Sequence, residues 1–195
     1  MVKYRRVLYA TLACAGLLLA AVHAYAQPPA NPLAKFQTQT LNWKDCGNNL
    51  QCSTFKVPMD YSSIDKNFFT LSVVRHAATD LKNRIGTLFV NPGGPGGSAV
   101  NYASHADQIV SSAITQRYDI VGFDPRGVGK SEPAHCLSDK AEDAYISSDT
   151  AVITKNDLNN LLAQAKKFAD ACARATGIKI GHYGSVDAAR DMELL

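Results

Sequence analysis

The run Asn91-Pro92-Gly93-Gly94-Pro95-Gly96-Gly97-Ser98 decides how this chain is read. Four glycines and two prolines within eight residues exclude a helix or a central strand. Glycine loses the most backbone freedom on ordering, and proline has no N–H to donate. The run is therefore a rigid, exposed turn. Immediately before it, Ile85-Gly86-Thr87-Leu88-Phe89-Val90 is the nearly continuous apolar pattern of a strand covered on both faces. After it a helix is expected over Val100 to Ile114, then a second apolar strand, Tyr118 to Phe123. Strand, glycine loop, helix and strand in that order open a parallel α/β sheet. Ligands of such sheets bind at the carboxyl ends of the strands, which is where this loop lies.

Working outward, Leu41 to Cys46 and Cys52 to Pro58 read as short strands flanking the turn Gly47-Asn48-Asn49. Phe68 to His76 reads as a strand in which Phe69, Leu71, Val73 and Arg75 alternate with Thr70, Ser72, Val74 and His76. These strands form an antiparallel lead-in. Downstream, a long loop runs from Asp124 to about Thr154. Asn156 then caps a helix whose Leu158, Leu161, Leu162, Ala165, Phe168, Ala169 and Cys172 make one stripe facing a core. Gly177 ends that helix, and Ser185 caps a last one, Val186 to Leu195. The expected fold class is α/β, with antiparallel lead-in strands, then the start of a parallel sheet with flanking helices, over residues 41–195.

The first residues stand apart. Lys3, Arg5 and Arg6 precede an apolar stretch from Val7 to Val22, and Ala24-Tyr25-Ala26 supplies a small-x-small cleavage pattern. This is the layout of a secretory signal peptide, with an apolar stretch short for a membrane span. Cleavage after Ala26 predicts a secreted or periplasmic protein with no stable membrane anchor, beginning with an extended leader over 27–40. The formal net charge of +3 comes from those first residues, since the remainder holds 17 basic and 17 acidic side chains. With no basic cluster left, no nucleic-acid partner is expected. Four cysteines remain beyond the leader, Cys46, Cys52, Cys136 and Cys172. An even number in an exported chain points to disulfides, in any of three pairings. Cys46 with Cys52 is the favoured local bridge, leaving Cys136 with Cys172. The pairs lack Cys-x-x-Cys spacing and the histidines are scattered, so no metal is expected, and no cofactor.

Two loops carry the chemistry. In the first, missing Cβ atoms let a substrate approach backbone N–H groups, which can stabilise a developing oxyanion. The second, Gly122-Phe123-Asp124-Pro125-Arg126-Gly127-Val128-Gly129-Lys130-Ser131, follows the strand Tyr118 to Phe123. Its Gly-Lys-Ser invites a phosphate-loop reading. That motif needs a glycine where Asp124 stands, and Pro133 forbids the helix that should start at Ser131. The better reading is support, with Asp124, Arg126, Gly127 and Gly129 holding the turn close to the site floor.

Together these loops resemble the α/β-hydrolase fold serine peptidases, most closely the secreted tripeptidyl aminopeptidase and proline iminopeptidase-like group. The resemblance runs through Trp43, Cys46, Leu50-Gln51-Cys52, Val57-Pro58-Met59-Asp60-Tyr61 and Arg84-Ile85-Gly86 to both glycine loops, and on to Tyr183-Gly184-Ser185 and Asp187-Ala188-Ala189-Arg190-Asp191. It implies that the first loop supplies one oxyanion donor, best matched by Gly94 with Gly93 beside it, while Asn91, Pro92, Pro95, Gly96 and Gly97 support the loop. It further implies a peptide substrate in the complete protein.

The family's nucleophile is a Ser in a Gly-x-Ser-x-Gly elbow, and no such sequence occurs here. Gly96-Gly97-Ser98-Ala99-Val100 lacks the last glycine, and Tyr183 and Asp187 flank Ser185 in place of the two glycines. The remaining triad members follow the Ser in this fold, so His76, His105, His135 and His182 are surface or packing residues. The chain is thus expected to be the amino-terminal portion of a secreted serine aminopeptidase, inactive alone, with a missing carboxyl-terminal half as its partner. The competing expectation is a non-catalytic exported binding or structural protein of the same fold.

Overall fold

The computed structural model describes residues 31–64 and 66–195. The expected signal peptide and its cleavage point lie outside the described residues. The chain divides into two units, residues 1–34 and 35–195. In the first, Asn31 Oδ1 accepts from the Leu33 N–H at 3.0 Å, forming a turn. The segment expected as an extended leader over 27–40 instead contains a helical turn, α1 (Ala34–Gln37), whose Phe36 is buried. Burying that ring supplies the driving force that the Pro- and Ala-rich composition conceals.

The second unit is built on a five-stranded sheet, β1 (Lys44–Asp45), β2 (Leu50–Pro58), β3 (Phe68–His76), β4 (Gly86–Phe89) and β5 (Tyr118–Phe123). The spatial order is β1-β2-β3-β5-β4. Only β4 and β5 pair in parallel; the other neighbours are antiparallel. Gly47, Asn48 and Asn49 all have positive φ, the left-handed geometry that closes the β1–β2 turn. The alternation in β3 sorts its side chains as its pattern predicts. Phe69, Leu71 and Val73 join Phe55, Val57, Val121 and Phe123 in one core, while Val74 joins Ile120, Ala103 and Ala106 on the other face. Phe55 and Phe123 meet edge to face with centroids 5.8 Å apart, the arrangement the ring quadrupoles favour.

Several elements differ from expectation. The first strand shrinks to β1, and the second starts at Leu50. The helix expected over Val100 to Ile114 is three short ones, α2 (Ala99–Ser104), α3 (Ala106–Ile109) and α4 (Ser112–Arg117). His105 leaves helical geometry at ψ 31°, and Val110 and Ser111 are extended, so the chain steps around the sheet rather than running straight. The long loop after Asp124 contains α5 (Asp139–Ile146). The next helix, α6 (Lys155–Thr176), is capped by Thr154, not Asn156, in a reciprocal box with Asp157. Its apolar stripe is largely uncovered. Cys172 is its one buried residue, Leu162 is 59% exposed, and only α5 stacks a ring on it, Tyr145 over Phe168 at 4.8 Å. The last helix, α7 (Ser185–Leu194), is capped from Gly184 without a side-chain bond from Ser185. The strand expected to be covered on both faces is the sheet edge, β4, with Leu88 and Phe89 exposed because no described element packs beyond it. The disulfides are Cys46–Cys52 and Cys136–Cys172.

Candidate functional site

The glycine loop leaves the carboxyl end of β4, and the second loop leaves the adjacent end of β5. Parallel pairing of the two strands puts the loops side by side. Between them lies a cavity of about 370 Å³. Asn91, Gly93, Pro95, Gly96 and Gly97 form one wall, Phe123, Pro125, Arg126 and Val128 the floor, and Tyr183, Ala188 and Met192 the far side.

Within the glycine loop the donors separate by role. Gly93 N–H donates to Asn91 Oδ1 at 2.8 Å, and Gly97 N–H to the Gly93 carbonyl at 3.1 Å. Gly94 N–H donates to no described residue. Of the two amides singled out from the sequence, Gly93's is spent holding the loop, and Gly94's is free. Gly94 has φ 131°, and an added Cβ would sit 3.1 Å from the Gly96 nitrogen, so only glycine suits this turn. The Gly94–Pro95 peptide is cis.

Asp124 is fully buried and ties the loops together. Its Oδ1 accepts from Ser98 Oγ at 2.7 Å and Val100 N at 3.0 Å, and its Oδ2 from Lys130 N at 2.9 Å. The Ser98 hydroxyl oxygen in turn accepts from Asn101 N at 3.0 Å, capping α2. Ser98 is thus a helix cap with its proton given to Asp124. Gly129 permits this closeness, since a Cβ there would lie 2.2 Å from Asp124 Oδ2. The same requirement recurs beneath α2, where a Cβ on Gly122 would meet the Ala99 carbonyl oxygen at 2.0 Å.

Arg126 turns away from the loop and into the protein. Its guanidinium offers five N–H donors in a fixed fork. Nε and Nη2 bond the two carboxylate oxygens of Asp191 on α7, the first at 2.8 Å. Nη1 donates to the Met59 and His182 carbonyls, and Nη2 also to Pro58 O, all at 3.0 Å. Every donor has a partner. Tyr61 Oη–H adds a bond to Asp191 Oδ1 at 2.8 Å. Burial, with the Asp191 carboxylate beside it, pushes the Tyr61 hydroxyl up, so it stays a donor. This cluster fastens the end of β2, the second loop and α7 around the cavity.

The sequence reading placed Asp124 and Arg126 as supports but missed Asp191. A signal was available, because Asp191 falls at helical spacing with Ala188 and Leu195, a charge on an apolar face. It also missed the caps on β3 beyond its pairing with β5. Ser131 Oγ accepts from Ser72 N at 2.9 Å and a Glu132 oxygen from Thr70 N at 2.7 Å, so side chains finish an edge that a strand would otherwise cover. His76, His105, His135 and His182 do not gather at the cavity. Among the described residues no group of three or more His, Cys, Asp or Glu side chains could hold a metal ion.

No protein-family model matches the chain. It is 33% identical to carboxylesterase B of Mycobacterium tuberculosis over 98% of its length, covering 41% of that protein. It is 32% identical to serine protease Hip1 of the same organism over 80% of its length, covering 32% of that protein. With the tripeptidyl aminopeptidase of Streptomyces coelicolor it shares 30% identity, again over 80% of its length and 30% of the relative's. The chain therefore spans between about a third and two fifths of these relatives.

Proposed function

From the premise that this chain belongs to the α/β-hydrolase serine peptidase family, we propose that it carries the oxyanion half of a secreted serine aminopeptidase site, and that the attacking serine is not among its residues. The observation behind this is the free Gly94 N–H, on a loop pinned by Asp124 at the carboxyl tip of a parallel strand and bordering a cavity. In the proposed reaction a serine hydroxyl attacks the peptide carbonyl. The carbonyl oxygen takes up negative charge and Gly94 N–H bonds it. The C–N bond then breaks, the amine leaves with a proton, and water releases the acyl group as a short amino-terminal peptide. Gly94 acts only on the oxygen. Ser98, whose proton goes to Asp124 and whose oxygen caps α2, does not serve as the nucleophile.

Two preparations test this reading. The purified chain, given a tripeptidyl-p-nitroanilide, releases no product above the blank; sustained release would overturn the assignment. A chimaera in which residues 41–195 replace the matching stretch of carboxylesterase B hydrolyses its substrate. In that chimaera Gly94→Ala, which keeps the N–H but cannot hold a φ of 131° without strain, turns the amide out of place and lowers kcat by about a hundredfold, on the scale of losing one oxyanion donor. An unchanged kcat in the variant refutes the role of Gly94. Export fits the two disulfides, which persist in oxidising compartments. Mass spectrometry of the exported protein is expected to find Gln27 at its amino end.

A further inference from the structure

Helix α2 covers only part of its side of the sheet. Its Ala103 packs with Val74 and Ile120, and beside it the same face of β1, β2 and β3 opens into a cavity of about 560 Å³, larger than the 370 Å³ beside the glycine loop. Register fixes what lines it. Lys44 lies opposite Cys52 and Thr54 opposite Ser72, and residues paired across a ladder share a face. Cys52 and Thr54, two apart on one strand, share it as well. The floor is therefore the Cys46–Cys52 bridge with the Thr54 and Ser72 hydroxyls, and Lys44 stands on the β1 side. Val100 of α2 and Lys130 of the second loop make the wall on the β3 side.

Donor and acceptor chemistry narrows the occupant. The two lysines can only donate, and neither ammonium has a partner among the described residues. The carboxylate on this lining, Asp45, already accepts from Gly47 N–H at 2.8 Å. Ser72 Oγ gives its proton to the Lys130 carbonyl at 3.2 Å, so toward the cavity it can only accept. A ligand that satisfies both kinds of group brings negative charge to the lysines and a hydroxyl proton to Ser72. We propose that this cavity binds an acidic sugar, a hexose bearing a carboxylate or a phosphate, with the disulfide and Val100 against its less polar edge. The volume is that of an ordinary small-molecule site. The walls also tie this site to the glycine loop. Lys130 and Val100 are the residues whose amides hold the two oxygens of Asp124, and Asp124 in turn takes the Ser98 proton. A sugar seated against both walls therefore restrains that clamp from behind. The inference takes nothing from the oxyanion assignment.

The test titrates the purified chain in a calorimeter with glucuronic acid, glucose 6-phosphate, glucose and inorganic phosphate. At least one acidic sugar is expected to bind with a Kd of about a millimolar or below, and which one does identifies the acid group. Glucose and phosphate alone bind about tenfold or more weakly, since each satisfies only half of the lining. Lys44→Gln together with Lys130→Gln, both at exposed positions, weakens the acidic sugar about tenfold or more, because a charge-assisted bond is lost at each. Lys82→Gln, on the turn ahead of β4, leaves binding unchanged. With the sugar bound, hydrogen exchange of the Val100 and Lys130 amides slows. Neither acidic sugar binding, phosphate binding as tightly as glucose 6-phosphate, indifference to the two glutamines, or binding that leaves those two amides unprotected overturns the inference. A chimaera without hydrolytic activity counts against the functional reading and leaves this site standing.

Discussion

Arg126 spends every N–H of its guanidinium inside the protein, on one carboxylate and three carbonyls. Removing one member of a buried pair leaves the other charged and unpaired, at a cost of about 3–5 kcal/mol. Arg126→Ala is therefore expected to lower the stability of the chain by that amount in urea denaturation, with Arg126→Lys recovering little of it, because an ammonium cannot reproduce the fork. A loss below about 1 kcal/mol would show the cluster to be incidental. Asp119 makes a second, separate anchor. Burial alone would push its carboxyl up. Hydrogen bonds from Arg84 and the Ala78 N–H, with the Arg75 charge nearby, hold it below the usual carboxylate range. A depressed folded value means stabilisation that is fully present above the unfolded value of about 3.9 and is lost as pH falls through the folded one. The stability gap between the wild type and Asp119→Asn is thus expected to be constant from neutral pH to about 5 and to close below about 4. A gap that fails to narrow as the pH falls below about 4 would contradict this. At this scale the sequence showed which loop residues matter but not what they touch. Arg126 reads as a turn residue until α7 is placed against it.

Elements were legible where their contacts lie within the chain. The β3 alternation sorts two cores correctly because β2, β5 and α2 cover it. In α6 the same reasoning found the helix and its stripe, but the stripe meets no core among the described residues. Its attachment is chiefly covalent, through Cys136–Cys172, which span 36 residues. A bridge closing a loop of that length is worth about 4 kcal/mol in the chain-entropy account. With both cysteines changed to serine, hydrogen exchange of the α6 amides is expected to accelerate by up to the corresponding factor, while β2, β3 and β5 keep their protection. Uniform acceleration across the sheet would instead make the bridge a global fastening. The broken helix over 99–117 escaped the sequence reading for another reason. Its apolar positions suit a helix, and only the need to follow the sheet from β4 to β5 divides it.

For the molecule as a whole, the glycine loop announced a parallel pair, and β4 with β5 provides it. Strand order was not legible, since nothing local tells β5 to insert between β3 and β4. Nor was the exposure of β4, because an apolar run reads as buried whether or not its cover is present. The two bridges also differ in what they require of the rest of the protein. Cys46 and Cys52 lie six positions apart across a turn whose three residues already favour left-handed geometry. That bridge needs nothing beyond its own hairpin. A chain crossing a membrane amino end first would have this knot tied while most of its length was still on the other side, and the second clasp would wait until α6 had followed.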